Sequence, residues 1–123
     1  MGLIHEDVSY QIIGALFDAY NTIGPSHKEL YCQRAVAKMF DKRDLEYQEQ
    51  VVVPLEIEGE RIGNYRLDFL VSGIVVVELK VGRRFRKQDF IQANAYLRSM
   101  KKQLAILALF GPRDLLYKRV VNI

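Results

Sequence analysis

Only one cysteine, Cys32, occurs in the 123 residues, so no internal disulfide braces the chain. Such sparing use of cysteine favours a reducing compartment. Three prolines and eight glycines exclude collagen-like and disordered readings. The two histidines, His5 and His27, stand apart without cysteine/histidine ligand spacing, and neither is assigned to zinc. No apolar run approaches the ~20 residues that cross a bilayer. The opening Met1-Gly2-Leu3-Ile4-His5-Glu6-Asp7 has neither the basic start nor the apolar stretch of a signal peptide. A cytoplasmic location with no membrane partner is the resulting expectation. Repeats, low-complexity tracts and Ser/Pro-rich linkers are missing too, so residues 1–123 read as a single domain.

What is present suits a globular core. Half of the residues are hydrophobic and 27% are charged. A chain of this length buries about two-thirds of its unfolded surface without covalent help. Eighteen Lys and Arg against fifteen Asp and Glu leave a net charge of +3, a weak pointer to a polyanion. Position says more: Arg83, Arg84, Arg86 and Lys87 form one basic knot, and Arg98, Lys101 and Lys102 another.

Periodicity gives the elements. Val8, Ile12, Ala15, Leu16 and Ala19 recur at helical spacing from Glu6 to Ile23, where Gly24-Pro25 ends the helix. A second helix is expected from Ser26, with Cys32, Ala35, Val36, Met39 and Phe40 on its apolar face and Asp41-Lys42-Arg43-Asp44 at its close. Tyr47–Ile57 reads as a strand that Pro54 pushes toward a sheet edge or a bulge. A turn over Glu58–Gly63 leads to strands Tyr65–Val71 and Ile74–Val81, joined as a hairpin at Ser72-Gly73. A helix from Lys87 to Lys102, a fully apolar strand from Leu104 to Phe110 and a last strand from Leu115 to Val121 follow. The order ααβββαββ predicts an α/β fold with a mixed sheet and helices on its faces.

Within the hairpin, Glu78 and Lys80 project from one face of a strand that is otherwise apolar. Buried ionic groups are costly unless paired or bound to metal. A simple register sets Asp68 beside Glu78, and two adjacent carboxylates repel unless a cation or a shared proton relieves them. A hard ion such as Mg²⁺ suits oxygen ligands. With Lys80 alongside, this set fits attack of water on a phosphodiester, with charge on phosphorus oxygens stabilised. On the E-x-K pair alone, a cross-strand salt bridge of Asp68 or Glu78 with Lys80 or Arg66 is the better account.

Glu29 raises the weight of the chemical reading. It lies one turn before the apolar stripe and is expected to face the protein body; the competing role is a capping box, Ser26-His27-Lys28-Glu29, closed back onto Ser26. Gln92 and Tyr96 share a helix face at i and i+4. The knot around Arg83 follows the E-x-K strand directly, so its guanidinium groups suit phosphate contacts, with Phe85 and Tyr96 available to stack on bases. Cys32 reads as a core residue.

Together Gly24-Pro25-Ser26-His27-Lys28-Glu29, Gln33-Arg34-Ala35, Tyr47-Gln48-Glu49, Tyr65-Arg66-Leu67-Asp68-Phe69, Val76-Val77-Glu78-Leu79-Lys80, Gln92-Ala93-Asn94-Ala95-Tyr96-Leu97 and Tyr117-Lys118-Arg119-Val120-Val121 resemble the GxxExxY family of the PD-(D/E)xK nuclease superfamily. The blocks span nearly the whole chain in family order. In the naming motif Ser26 stands at the family Gly and Cys32 at the family Tyr, with Tyr31 displaced by one position. The resemblance implies a restriction-endonuclease-like core and hydrolysis of phosphodiesters in DNA or RNA with Mg²⁺ or Mn²⁺. It implies Glu29, Asp68 and Glu78 as metal ligands, Lys80 acting on the water or the transition state, and Gln92 and Tyr96 in support. Arg83, Arg84, Arg86 and Lys87 are the expected nucleic-acid contacts, and the small gripping surface leaves room for a homodimer. The rival reading is a nuclease-fold module that binds nucleic acid or a protein without turnover.

Overall fold

The structure is a computed structural model, and it describes residues 3–122. Its elements run α1 (Glu6–Ile23), α2 (Glu29–Lys42), β1 (Tyr47–Ile57), β2 (Glu60–Val71), β3 (Val75–Val81), α3 (Lys87–Met100), β4 (Leu104–Phe110) and β5 (Leu115–Val121). The expected order ααβββαββ is therefore the observed one. The five strands lie in the spatial order β1-β2-β3-β4-β5. Neighbours pair antiparallel except β3 and β4, which run parallel and are joined through α3. A parallel pair needs such a crossover, and α3 supplies it.

Two cores sandwich the sheet. Ile12, Leu16, Cys32, Val36 and Phe40 of α1 and α2 pack on Phe69, Val75, Val77 and Leu79. On the opposite face Ala93, Tyr96 and Leu97 of α3 pack on Leu67, Leu70, Val76, Ala105 and Leu107. Strand β4 is buried along its whole length, as its unbroken apolar run requires. Pro54 is accommodated as expected: β1 is an edge strand, and its pairing with β2 shifts between Leu55 and Glu56.

Local backbone chemistry moves several boundaries. Glu58 and Gly59 both take positive φ (51° and 80°), which suits a two-residue hairpin turn, so β2 starts at Glu60 and the expected turn through Gly63 is strand. At the next hairpin Ser72 and Gly73 take positive φ and Ile74 joins the turn, so β3 starts at Val75. Helix α3 stops at Met100 because Lys101 is left-handed (φ 56°). The largest shift is at α2. Gly24 and Ser26 both take positive φ (72° and 70°), and the helix begins at Glu29 with Lys28 as its N-cap. The capping box on Ser26 does not form. Instead, His27 Nε2 donates to the carbonyl of Ile23 at 2.6 Å and ties the linker to the end of α1.

Candidate active site

The site grows from a fork in the sheet. Strand β2 pairs with β3 only over Phe69–Val77, Leu70–Val76 and Val71–Val75. One step further that register sets Asp68 against Glu78, and there the ladder ends. Asp68 is also skipped in the pairing with β1, where Gln50 opposite it is left-handed (φ 52°). The carboxylate fills the gap: the N–H of Leu79 donates to Asp68 Oδ2 at 2.7 Å. A side chain has replaced a strand as the partner of β3. Alternation along β3 then sends Leu79 into the α1/α2 core, while Glu78 and Lys80 project with Val76 to the α3 side.

Asp68 and Glu78 are both buried, 8% and 5% exposed. Glu78 Oε1 is sealed from solvent and has no hydrogen-bond partner. Burial first, then the charge and hydrogen bonding of Asp68, push the Glu78 carboxyl up to about 9 against the opposing ammonium of Lys80. Without metal, the Glu78 carboxyl is therefore held protonated at neutral pH. Tyr96 belongs to the same locus. Its ring meets that of Tyr65 edge-on at 5.2 Å, and its hydroxyl is held protonated by burial and then by the charge of Glu78.

Outside this buried pair lies a cleft of about 700 Å³ lined by Glu29, Lys80, Val81, Gly82, Arg83, Arg84, Arg86, Asp89 and Leu109. Glu29, at the first turn of α2, is exposed on its rim rather than turned into the protein body as expected. Surrounding protein still desolvates its carboxyl and raises its pKa; the charge of Asp68 adds to this and Lys80 opposes it. Three guanidinium side chains of the β3–α3 loop line the cleft, whereas Lys87 is exposed on α3 and is not part of the lining. Phe85 is not a free stacking platform. It packs on Phe90 with ring centres 5.7 Å apart and joins the α3-side core. Tyr96, 3% exposed, is equally unavailable for stacking. Arg98, Lys101 and Lys102 lie at the far end of α3, about 20 Å of helix away.

The family model of the PD-(D/E)XK nuclease superfamily matches residues 6–120. The chain belongs to the PD-(D/E)XK nuclease superfamily. Among solved structures, the crystal structure of SSO0001 superposes with a TM-score of 0.54 at 13% identity, over 98% of this chain and 78% of that one. At that identity the likeness concerns the fold alone. No curated protein matches the chain in sequence.

Read as a PD-(D/E)XK protein, the chain carries its D…E-x-K pattern as Asp68, Glu78 and Lys80 on the α3 side of the fork. Among the described residues no group of three or more His, Cys, Asp or Glu side chains gathers closely enough to hold a metal ion. The donors that fit one are two carboxylates on neighbouring strands, one with an unpartnered oxygen. A Mg²⁺ ion commonly uses one or two carboxylates and fills the rest of its shell with water and phosphate. Gln92 is half-buried one turn before Tyr96, and no hydrogen bond links it to either carboxylate among the described residues. The residue that sequence reasoning missed is Asp89. It is the direct ionic partner of Lys80, at 3.9 Å, in place of the expected Asp68 or Glu78. Its signal was present: Asp89, Gln92 and Tyr96 follow i, i+3, i+7 on one helix face.

Proposed function

We propose that this PD-(D/E)XK chain, as a member of the GxxExxY family, hydrolyses phosphodiester bonds in DNA or RNA with Mg²⁺ or Mn²⁺. The observation that carries the reading is the buried, unpartnered Oε1 of Glu78 beside Asp68, an arrangement that is costly unless a cation or proton occupies it. Asp68 and Glu78 hold the ion, and Glu29 approaches from the cleft rim. When bound, the ion supplies Lewis-acid polarisation of the phosphate and a more acidic water. Lys80 places an ammonium where charge builds on the phosphoryl oxygens. Tyr96, kept as a neutral phenol, offers a hydrogen-bond donor toward the carboxylate pair, and Gln92 supports the same helix face. Arg83, Arg84 and Arg86 hold flanking phosphates, with Lys87 contributing from outside the cleft. A homodimer would widen this small grip on a duplex, which sedimentation with and without DNA tests.

The deciding experiment is cleavage of single-stranded, duplex and branched DNA and of RNA in Mg²⁺ and in Mn²⁺, with Glu78→Ala as control. Metal-dependent cleavage lost in the control is the expected result; no cleavage of any substrate overturns the reading. That no three-ligand cluster gathers among the described residues favours one second reading, a binding module without turnover. That module would keep salt-sensitive nucleic-acid affinity in EDTA and cut nothing.

A further inference from the structure

Asp89 carries two loads with two oxygens. Oδ2 accepts the N–H of Arg86 at 2.9 Å and so closes the first turn of α3. Oδ1 lies 3.9 Å from Lys80 Nζ. The first bond fixes the carboxylate's orientation, and the second contact follows from it. Both side chains are largely shielded, 15% exposed for Asp89 and 30% for Lys80, and both line the cleft. A lysine is a charge on a four-carbon stem with much rotamer freedom to lose. At 3.9 Å the pair is too long for a hydrogen bond and short enough for attraction, so the ammonium is tethered without being consumed. Arg83, Arg84 and Arg86 line the same cleft, and a like charge beside that lining has no reason to stay without a counter-anion.

We propose that Asp89 is a positioning residue: anchored by the helix cap it provides, it holds the Lys80 ammonium at the inner wall of the cleft, where the phosphate reacts. This inference rests on the hydrolase reading given above. It also explains why the acid sits at the third position of α3, where one carboxylate can both cap the helix and reach the end of β3.

The test is a series at one position, read in the assay that shows cleavage by the wild-type chain. Asp89→Asn keeps an oxygen for the Arg86 N–H and loses the charge, Asp89→Ala loses both, and Asp89→Glu keeps both at longer reach. Expected for Asp89→Asn is a fall in kcat of about ten- to a hundredfold, the range found when a reacting group loses its supporting partner. KM for the nucleic acid does not rise, because an acid has left an anion-binding cleft. Its Tm stays near wild type, that of Asp89→Ala drops, and Asp89→Glu recovers much of kcat. A purely structural cap would move Tm with kcat, and a phosphate contact would move KM. Wild-type kcat in Asp89→Asn overturns the inference and leaves the hydrolase reading standing. No turnover by the wild-type chain overturns both.

Discussion

The two faces of β3 differ sharply in what they carry. On the α1/α2 side Val75, Val77 and Leu79 are fully buried, and the neighbouring rings of Phe40, Tyr47 and Phe69 meet at 5.0 to 5.8 Å. Across the strand the same alternation begins with Val76 and then runs into Glu78 and Lys80. One strand thus has a structural side and a chemical side. The division is possible because β3 is central: its odd positions anchor it while its even positions bear a cost. That cost is local, one orphaned carboxylate oxygen on Glu78, and the core opposite is uninterrupted.

The comparison makes its strongest claim about what happens when each side is altered. Under the proposed hydrolysis, Glu78→Ala removes a group that the reaction needs and the fold is expected to spare. Cleavage is expected to fall about 10³-fold or more, in line with loss of a main electrostatic contributor. The Tm is expected to hold or rise, because a buried carboxyl with an unpartnered oxygen has gone. Paired rate and melting measurements check this, and a Glu78→Ala protein that unfolds would erase the distinction between the faces.

On the other side Phe69→Ala should act in the reverse sense. Phe69 is fully buried between Phe40 and Tyr47. Its truncation is expected to cost about 3–5 kcal/mol of stability. The fraction still folded, measured at low temperature, should cleave within a few-fold of wild type. Equal loss of rate and stability would mean that the two faces are mechanically coupled.

Much of this division was legible in the sequence, and the exceptions have physical causes. Period-two patterning and the Ser72-Gly73 turn set Asp68 opposite Glu78, because a strand has few registers that keep both faces consistent. The apolar run Leu104–Phe110 marked a buried strand correctly. Glu29 was harder: its helix starts three residues late since Gly24 and Ser26 take positive φ, and periodicity carries no information about those angles. Helix spacing aligns Asp89 with Gln92 and Tyr96, but its pairing with Lys80 was not legible. That pair spans a β-to-α turn, and its closeness depends on how α3 folds back over β3. Phe85 looked available among arginines because a charged neighbourhood hides an aromatic that turns inward.

Titration separates the faces without mutation. Glu78 has a folded pKa of about 9, above its unfolded value near 4.5, so the folded state binds the extra proton. Its stabilising contribution is complete below the unfolded value and is lost as pH rises toward 9. Metal-free protein in EDTA should lose stability across that window with a slope of up to about 1.4 kcal/mol per pH unit. Glu29, also raised, acts in the same direction. Denaturant melts at pH 5, 7 and 9 should show the decline in wild type and a flatter profile in Glu78→Gln. Divalent metal at Glu78 must displace its proton, so metal affinity should climb over the same range. A stability that rises with pH in EDTA would contradict a buried, protonated Glu78.

The smallest effect concerns the cleft wall and decides whether the chemical face ends at Lys80. Arg84 lines the cleft, is exposed, and belongs to the loop that leaves β3. If it meets a phosphate, Arg84→Ala should weaken nucleic-acid binding a few-fold at moderate salt and reduce the salt slope by about 1, with little preference among sequences. Lys87, exposed and outside the lining, should show a smaller change, and Lys101, at the far end of α3, none. Binding isotherms at several salt concentrations measure all three. The ranking matters more than any single value, because non-specific attraction to a chain of charge +3 predicts equal losses from every lysine and arginine. Equal slopes for Arg84 and Lys101 would place the nucleic acid elsewhere; a graded loss from Arg84 to Lys87 to Lys101 would extend the chemical face from the carboxylate pair out along the β3–α3 loop.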